Sequence, residues 1–220
     1  TPRYSTGYTT LFNTMGYVSE AHMLKPYPVR VEATYTLLKN IIKFAQINSS
    51  AVISVFNNAN KEIRRIKEYG INYKLDTTTR LEVKFESYRK KYRISEVTGL
   101  PIHYFDKSIR DTNTIPYYAD YKPEKKIQVP RYYVLPQAWR SVKERLDLNQ
   151  IEYRTLAKDT TMQVELYYIS KYETSERPYE GHYFHYNTEV VKDTQVVELR
   201  AGDMIIPTDQ DGIRYIIESL

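Results

Sequence analysis

Cysteine is absent from these 220 residues, which removes disulfides, thiolate metal sites and cysteine nucleophiles together. Glycine is scarce, at 7 residues, and tryptophan occurs once. The chain has no glycine-rich phosphate loop and no Gly-x-Ser-x-Gly elbow, so nucleotide cradling and serine-hydrolase chemistry have no foothold. No apolar run approaches the ~20 residues that a bilayer span needs. The greasiest stretches, around 41–45 and 51–56, are broken by lysine and asparagine. Charge of one sign is also in short supply: 32 basic and 27 acidic side chains leave +5, which fits a solvated surface better than a dedicated polyanion binder. Neither nucleic acid nor a membrane span is expected.

What is present describes a globular chain. Apolar residues make up 41% and charged residues 27%, ordinary values for a packed domain, and the length suffices for one core or two small ones. Tyrosine stands out, with 23 residues against 6 phenylalanines. One reading is half-buried strand faces on which tyrosine replaces phenylalanine. The other is an exposed stacking surface for sugars or single-stranded nucleic acid. The opening Thr1-Pro2-Arg3-Tyr4 shows neither an initiator methionine nor a signal segment. The final Ile216-Ile217-Glu218-Ser219-Leu220 stops inside a helical pattern. The natural protein is expected to be longer.

Along the chain, residues 1–28 read as loops around one short strand at Tyr17-Val18, with Pro26 and Pro28 stopping anything regular. From Val31, apolar residues recur at helical spacing through Ala45. Asn48-Ser49-Ser50 breaks that helix, and a second runs from Val52 to a closing Gly70. The two are expected to pack as a hairpin. Alternation then marks strands at 71–75 and 81–88, continuing to 97. Residues 99–129, with Pro101, Pro116 and Pro123 and little periodicity, are expected to form a long surface loop. A strand at 132–135, a helix opening at Pro136-Gln137-Ala138-Trp139 and a strand at 151–154 suggest one crossover unit. Strands at 162–172, 182–186, 190–199 and 204–207 follow, with a helix over 210–220. The fold class is therefore α+β (mixed): a helical hairpin, then a strand-rich domain with one β-α-β crossover. The expected domains are 1–70 and 71–220.

Chemistry concentrates in Ser19-Glu20-Ala21-His22-Met23-Leu24-Lys25-Pro26-Tyr27-Pro28-Val29-Arg30. A carboxylate in a partly dry site can act as a general base, and nearby cations can hold a substrate carboxylate. A solvated loop whose charges pair with one another is the plainer alternative. His182 and His185, three apart on a strand, would point to opposite faces, which argues against shared coordination. Asp203, Asp209 and Asp211 read as turn and cap residues without the ordered spacing of a calcium loop. Trp139 reads as core.

From Tyr4-Ser5-Thr6-Gly7-Tyr8, through Asn13, to Glu20-Ala21-His22-Met23-Leu24-Lys25-Pro26 and Arg30-Val31-Glu32-Ala33-Thr34, the chain resembles the end of the catalytic domain in zinc metallocarboxypeptidases. It is most similar to a bacterial branch in which Glu-x-His-x-x-Lys-Pro precedes the last helix. Residues 133–139, Tyr179-Glu180-Gly181-His182 and 209–215 resemble the extra C-terminal region of that branch. The resemblance implies zinc in a parent protein, held by a His-x-x-Glu pair and a later histidine. It implies that Glu20 moves the proton from water to the leaving amine, and that Tyr8 or Tyr4 contacts substrate. His22, Lys25 and Arg30 would then support the site without touching the reaction. None of the four histidines, His22, His103, His182 and His185, is followed three residues on by glutamate. The zinc ligands are thus expected on a missing N-terminal half of the catalytic domain, leaving this chain inactive by itself. Peptide substrate and an extracellular or periplasmic location for the parent come from the resemblance alone. The alternative is a non-catalytic, tyrosine-rich binding module for glycan or peptide.

Overall fold

The computed structural model describes residues 2–220. Two compact units share the chain: the N-terminal residues through Ile66 together with Val129–Leu220, and Lys67–Gln128. The first break lies at Ile66–Lys67. The second, at Gln128–Val129, returns the chain to the first unit.

A short helix, α1 (Ser5–Thr10), occupies part of the segment expected to be loop. Six residues cannot hold a helix by propensity. Two threonines adapt to it by donating to carbonyls three residues back, Thr9 Oγ1 to Thr6 O at 3.0 Å and Thr10 Oγ1 to Gly7 O at 2.7 Å. Burial of Leu11 and packing of Phe12 against Tyr215, rings 5.8 Å apart, then anchor its end. Tyr17 and Val18 form no strand, because no second strand lies beside them to complete a ladder. A long helix, α2 (Tyr27–Ile47), starts after Pro26 with Pro28 in its first turn, where a missing N–H costs nothing. Only Asn48 separates it from α3 (Ser49–Ile63). Asn48 N donates to Phe44 O at 2.9 Å and Val52 N to Asn48 O at 3.0 Å, so helical bonding carries through the break. The side-by-side packing expected of the two helices is absent, and α2 buries none of its residues.

The second unit is built from β1 (Glu68–Leu75), β2 (Leu81–Ile94), β3 (Pro101–Tyr117) and β4 (Tyr121–Gln128). β1 pairs antiparallel with β4, and β2 with β3. The loop expected over 99–129 is therefore two strands. Its prolines fit because Pro101 opens β3, while Pro116 and Pro123 sit in two-stranded pairs where an outward N–H has no ladder partner to lose. Gly70, expected to cap α3, lies inside β1 instead. A Cβ there would sit 2.7 Å from Pro123 Cβ, so glycine makes room for the proline ring of β4 that pairs with Tyr73. Aspartates organise both irregular points. Asp76 Oδ1 accepts from Thr78 N at 2.9 Å, Thr78 Oγ1 at 2.6 Å and Lys122 Nζ at 3.0 Å. Asp106 does the same with Ser108 and Lys91 where β3 carries extra residues opposite Tyr88/Arg89.

Returning to the first unit, the chain forms β5 (Tyr132–Leu135), α4 (Arg140–Leu148) and β6 (Arg154–Thr155). It continues with β7 (Thr160–Thr174), β8 (His185–Leu199), β9 (Met204–Pro207) and α5 (Ile213–Ser219). The sheet order is β5-β9-β6, with β5 and β6 both antiparallel to β9. β5 and β6 are thus parallel, joined through α4, with β9 inserted between them. This is the expected β-α-β crossover in split form. Leu135, Leu146, Ile151, Met204, Ile206 and Ile216 form the core under this sheet, with Phe12, Val142 and Tyr215 packed around it. The fold is mixed α+β. β7 and β8 make a separate antiparallel ribbon. The strand expected over 182–186 begins only at His185, the preceding residues forming the turn in which Tyr179 and His182 pair.

Buried polar side chains stitch the loops around the core. Asp203 Oδ1 accepts from Gln137 N at 2.9 Å and Oδ2 from Arg200 N at 2.7 Å. Gln210 Oε1 accepts from Glu152 N at 2.8 Å, while Nε2 donates to Glu152 O at 3.0 Å and Pro207 O at 2.6 Å. Thr208 Oγ1 donates to Pro130 O at 2.7 Å. Each group is paired, as burial demands.

Candidate functional site

Glu20 lies in an extended segment just before a turn at 23–25 and the start of α2. The expected strand beneath it is missing, so it stands on a loop. Its carboxylate is exposed and, among the described residues, makes no hydrogen bond or ion pair. Pairing with its own loop's cations, the plain alternative, does not occur. His22 is exposed and its Nδ1 accepts the Leu24 amide at 3.2 Å, while Lys25 N donates to His22 O at 3.0 Å. These bonds close the turn that sets the chain into Pro26 and α2. Lys25 is exposed and also makes no ion pair. Arg30, in the first turns of α2, packs its guanidinium over the Tyr27 ring at 5.6 Å. Its Nε is buried without a hydrogen-bond partner.

Beside Glu20 an open groove of about 490 Å³ is lined by Ser19, Ala21, Tyr27, Arg30, Val31, Thr34, Tyr35 and Leu38. Its floor is the first half of α2. One cation, two tyrosines and an apolar wall make a set able to hold a carboxylate-bearing or aromatic group, while Glu20, between Ser19 and Ala21 in the extended segment, is not itself in the lining.

The tyrosines fall elsewhere. Tyr8 projects from α1, donates its hydroxyl to Asn149 Oδ1, and stands 5.5 Å from the Phe12 ring. It lines a polar cleft of about 430 Å³ with Arg64, Asn149, Gln150, Glu152, Asp209 and Asp211. Glu20 is not in that lining. Tyr4 precedes α1 and bonds to Tyr179, whose phenol pKa is raised first by that bond. Its neighbour Arg3 pairs with Glu180 and lies 5.1 Å over the Tyr179 ring. The two tyrosines expected at the substrate thus hold the N-terminal segment to the α4 end and to the β7–β8 turn. Within the structure they are not brought to Glu20. Asp211 serves as an ion-pair partner, Arg64 Nε donating to it at 2.8 Å. Nothing in the sequence marked Arg64 or Asn149 as neighbours of Tyr8, since only packing of α1 and α3 near the core brings them together.

Among the described residues no three His, Asp or Glu side chains gather as a metal set. His185 Nδ1 lies 2.8 Å from Thr174 Oγ1 with its ring edge-on to Tyr172, and His182 belongs to the turn. The residues present do not fit a zinc ion. Trp139, expected in the core, is 59% exposed and caps the start of α4 instead. No helix is long and apolar enough to cross a membrane, among the described residues. Comparison with protein-family models, with curated proteins and with solved structures found no match.

Proposed function

We propose that this chain is the C-terminal part of a zinc metallocarboxypeptidase-like peptidase, with Glu20 as its general base and acid. The observation that carries the reading is the Glu20-x-His22-x-x-Lys25-Pro26 segment, in which the carboxylate stays free while His22 closes the turn into α2. Glu20 takes a proton from the attacking water and returns it to the leaving amine. Arg30, Tyr27 and Tyr35 line the groove beside it. The exposure of Val31, Tyr35, Leu38 and Ile42 on α2 supports the same reading, since a helix with its apolar residues open requires another body to cover them. The metal ligands, in this reading, lie outside these 220 residues.

Two measurements test it. The purified chain, loaded with zinc and desalted, should retain almost none by elemental analysis. In a longer parent that does hold zinc, Glu20→Gln should lower kcat by about 10²–10⁴ without changing zinc content. One tightly held zinc in this chain, or an unchanged kcat in the parent, would sink the assignment.

A second reading, a non-catalytic module for glycan or peptide, is favoured by one feature of the β7–β8 turn. Phe184 and Tyr186 are exposed with rings 6.3 Å apart and inclined by 11°, an arrangement suited to stacking. Retardation by a soluble neutral polysaccharide in a native gel, lost in Tyr186→Ala, is its expected signature, and unchanged mobility of the unsubstituted chain counts against it.

A further inference from the structure

Lys67–Gln128 buries none of its side chains, and a two-stranded ribbon without cover is at best marginally stable in water. It also leaves long strand edges unpaired. Those edges are not equivalent. β3 opens on Pro101, carries Pro116 and takes the extra residues opposite Tyr88/Arg89, while β4 carries Pro123. β1 contains Gly70 and a left-handed Asn72 at φ 55°. Prolines and bulges are the devices that blunt an edge against pairing. β2 has neither: its 14 residues contain no proline or glycine and stay contiguous where β3 is interrupted, so its edge is guarded by charged side chains alone, of both signs.

We infer that the outer edge of β2 pairs antiparallel with β2 of a second copy of this chain, about a two-fold axis at Tyr88, making a four-stranded sheet. The occupant follows from how charge is distributed along the strand. Glu82 and Glu86 lie in its first half, and Arg89, Lys90, Lys91 and Arg93 in its second. An antiparallel copy sets the acidic half of one strand beside the basic half of the other, whereas a parallel copy opposes like halves.

The register follows as well. Facing residues must share a side of the sheet, so the axis passes through a residue and not between two. An axis at Glu86 or at Arg89 would set that residue against itself, an axis at Ser87 would set Lys84 against Lys90, and an axis at Phe85 would leave residues 90–94 with no strand residue opposite. Like charges directly opposite are destabilising. An axis at Tyr88 sets Glu86 against Lys90, Lys84 against Tyr92 and Tyr88 against itself, every pair compatible. The product has the three or more strands that a free-standing sheet needs, with Phe85 and Val83 of one copy facing Lys91 and Arg93 of the other, whose alkyl stems can lie along them. This inference does not rest on the peptidase reading.

Sedimentation equilibrium of the purified chain, from about 1 to about 100 µM, should return twice the 26.1 kDa chain mass. The chain has no cysteine, so Tyr88→Cys offers a clean probe: facing Cβ atoms lie within disulfide reach, and mild oxidation should yield a covalent dimer. Val97→Cys, beyond the end of β2, should not. Glu86→Lys should weaken the dimer roughly tenfold, and adding Lys90→Glu should restore it. A monomer throughout the range overturns the inference. So does a dimer that cross-links as well through Val97→Cys as through Tyr88→Cys, or one that the double reversal fails to restore.

Discussion

Replacing Gln210 with alanine removes three hydrogen bonds from one buried side chain. The Gln210 amide accepts from Glu152 N and donates to Glu152 O and Pro207 O, and the residue is 6% exposed. It therefore ties the chain before β6 to the turn after β9, next to the core residue Ile151. At about 1 kcal/mol net for each bond the loss is about 3 kcal/mol. For a chain of this size the melting point should fall by roughly 6–12 °C. Trp139, the single tryptophan, sits beside the Asp203 loop at the start of α4, so its fluorescence reports melting of this unit. Gln210→Glu keeps the shape but aims a carboxylate at two carbonyls, so its melting point should fall at least as far at neutral pH and recover partly in acid. Gln163→Ala on the exposed side of β7 serves as the control and should shift little. A Gln210→Ala melting point within about 2 °C of the control would refute the reasoning.

Three further outcomes are expected. Leu146→Ala, at a fully buried position in α4, should destabilise the same unit by about 3 kcal/mol in urea, with no change in the strand signal of Lys67–Gln128. The Asp76 carboxyl is held down to about 2 by hydrogen bonds from the Thr78 hydroxyl and amide and from Lys122. With the folded value depressed, its contribution is present above the ordinary 3.8 and is lost as pH falls toward 2. Slow exchange of the Thr78 amide should therefore persist to about pH 2 in a nuclear magnetic resonance titration, and loss centred near 4 would contradict the network. Gly70→Ala, pressed against Pro123, should loosen the β1–β4 pair, and amide exchange in Tyr69 and Ile71 should accelerate while that of β5 and β9 stays unchanged.

The candidate loop was legible because its residues are contiguous: Glu20, His22, Lys25 and Pro26 need only their own spacing to be noticed. Arg30 lies close behind them in sequence and lines the groove with Ser19 and Ala21. Tyr8 and Tyr4 were not placed correctly by proximity in sequence. Their partners, Asn149 and Tyr179, lie 141 and 175 positions away, and no local pattern encodes such a contact.

Amphipathic alternation by itself determined most of the strands, notably β1, β2 and β7, together with the last helix, because a period of two or of 3.6 is written in neighbouring residues. The β5–α4–β6 crossover was also readable from the order of its elements. Only the tertiary structure decided that 99–129 is strand, since its prolines are harmless once an edge faces away from a partner. It likewise decided that Gly70 clears space for Pro123, that Asn48 continues a helical path, and that β9 enters between β5 and β6. Each of these depends on which distant segment arrives alongside, and that is settled by burying Leu146, Ile206 and Ile216 in one core rather than by any local preference.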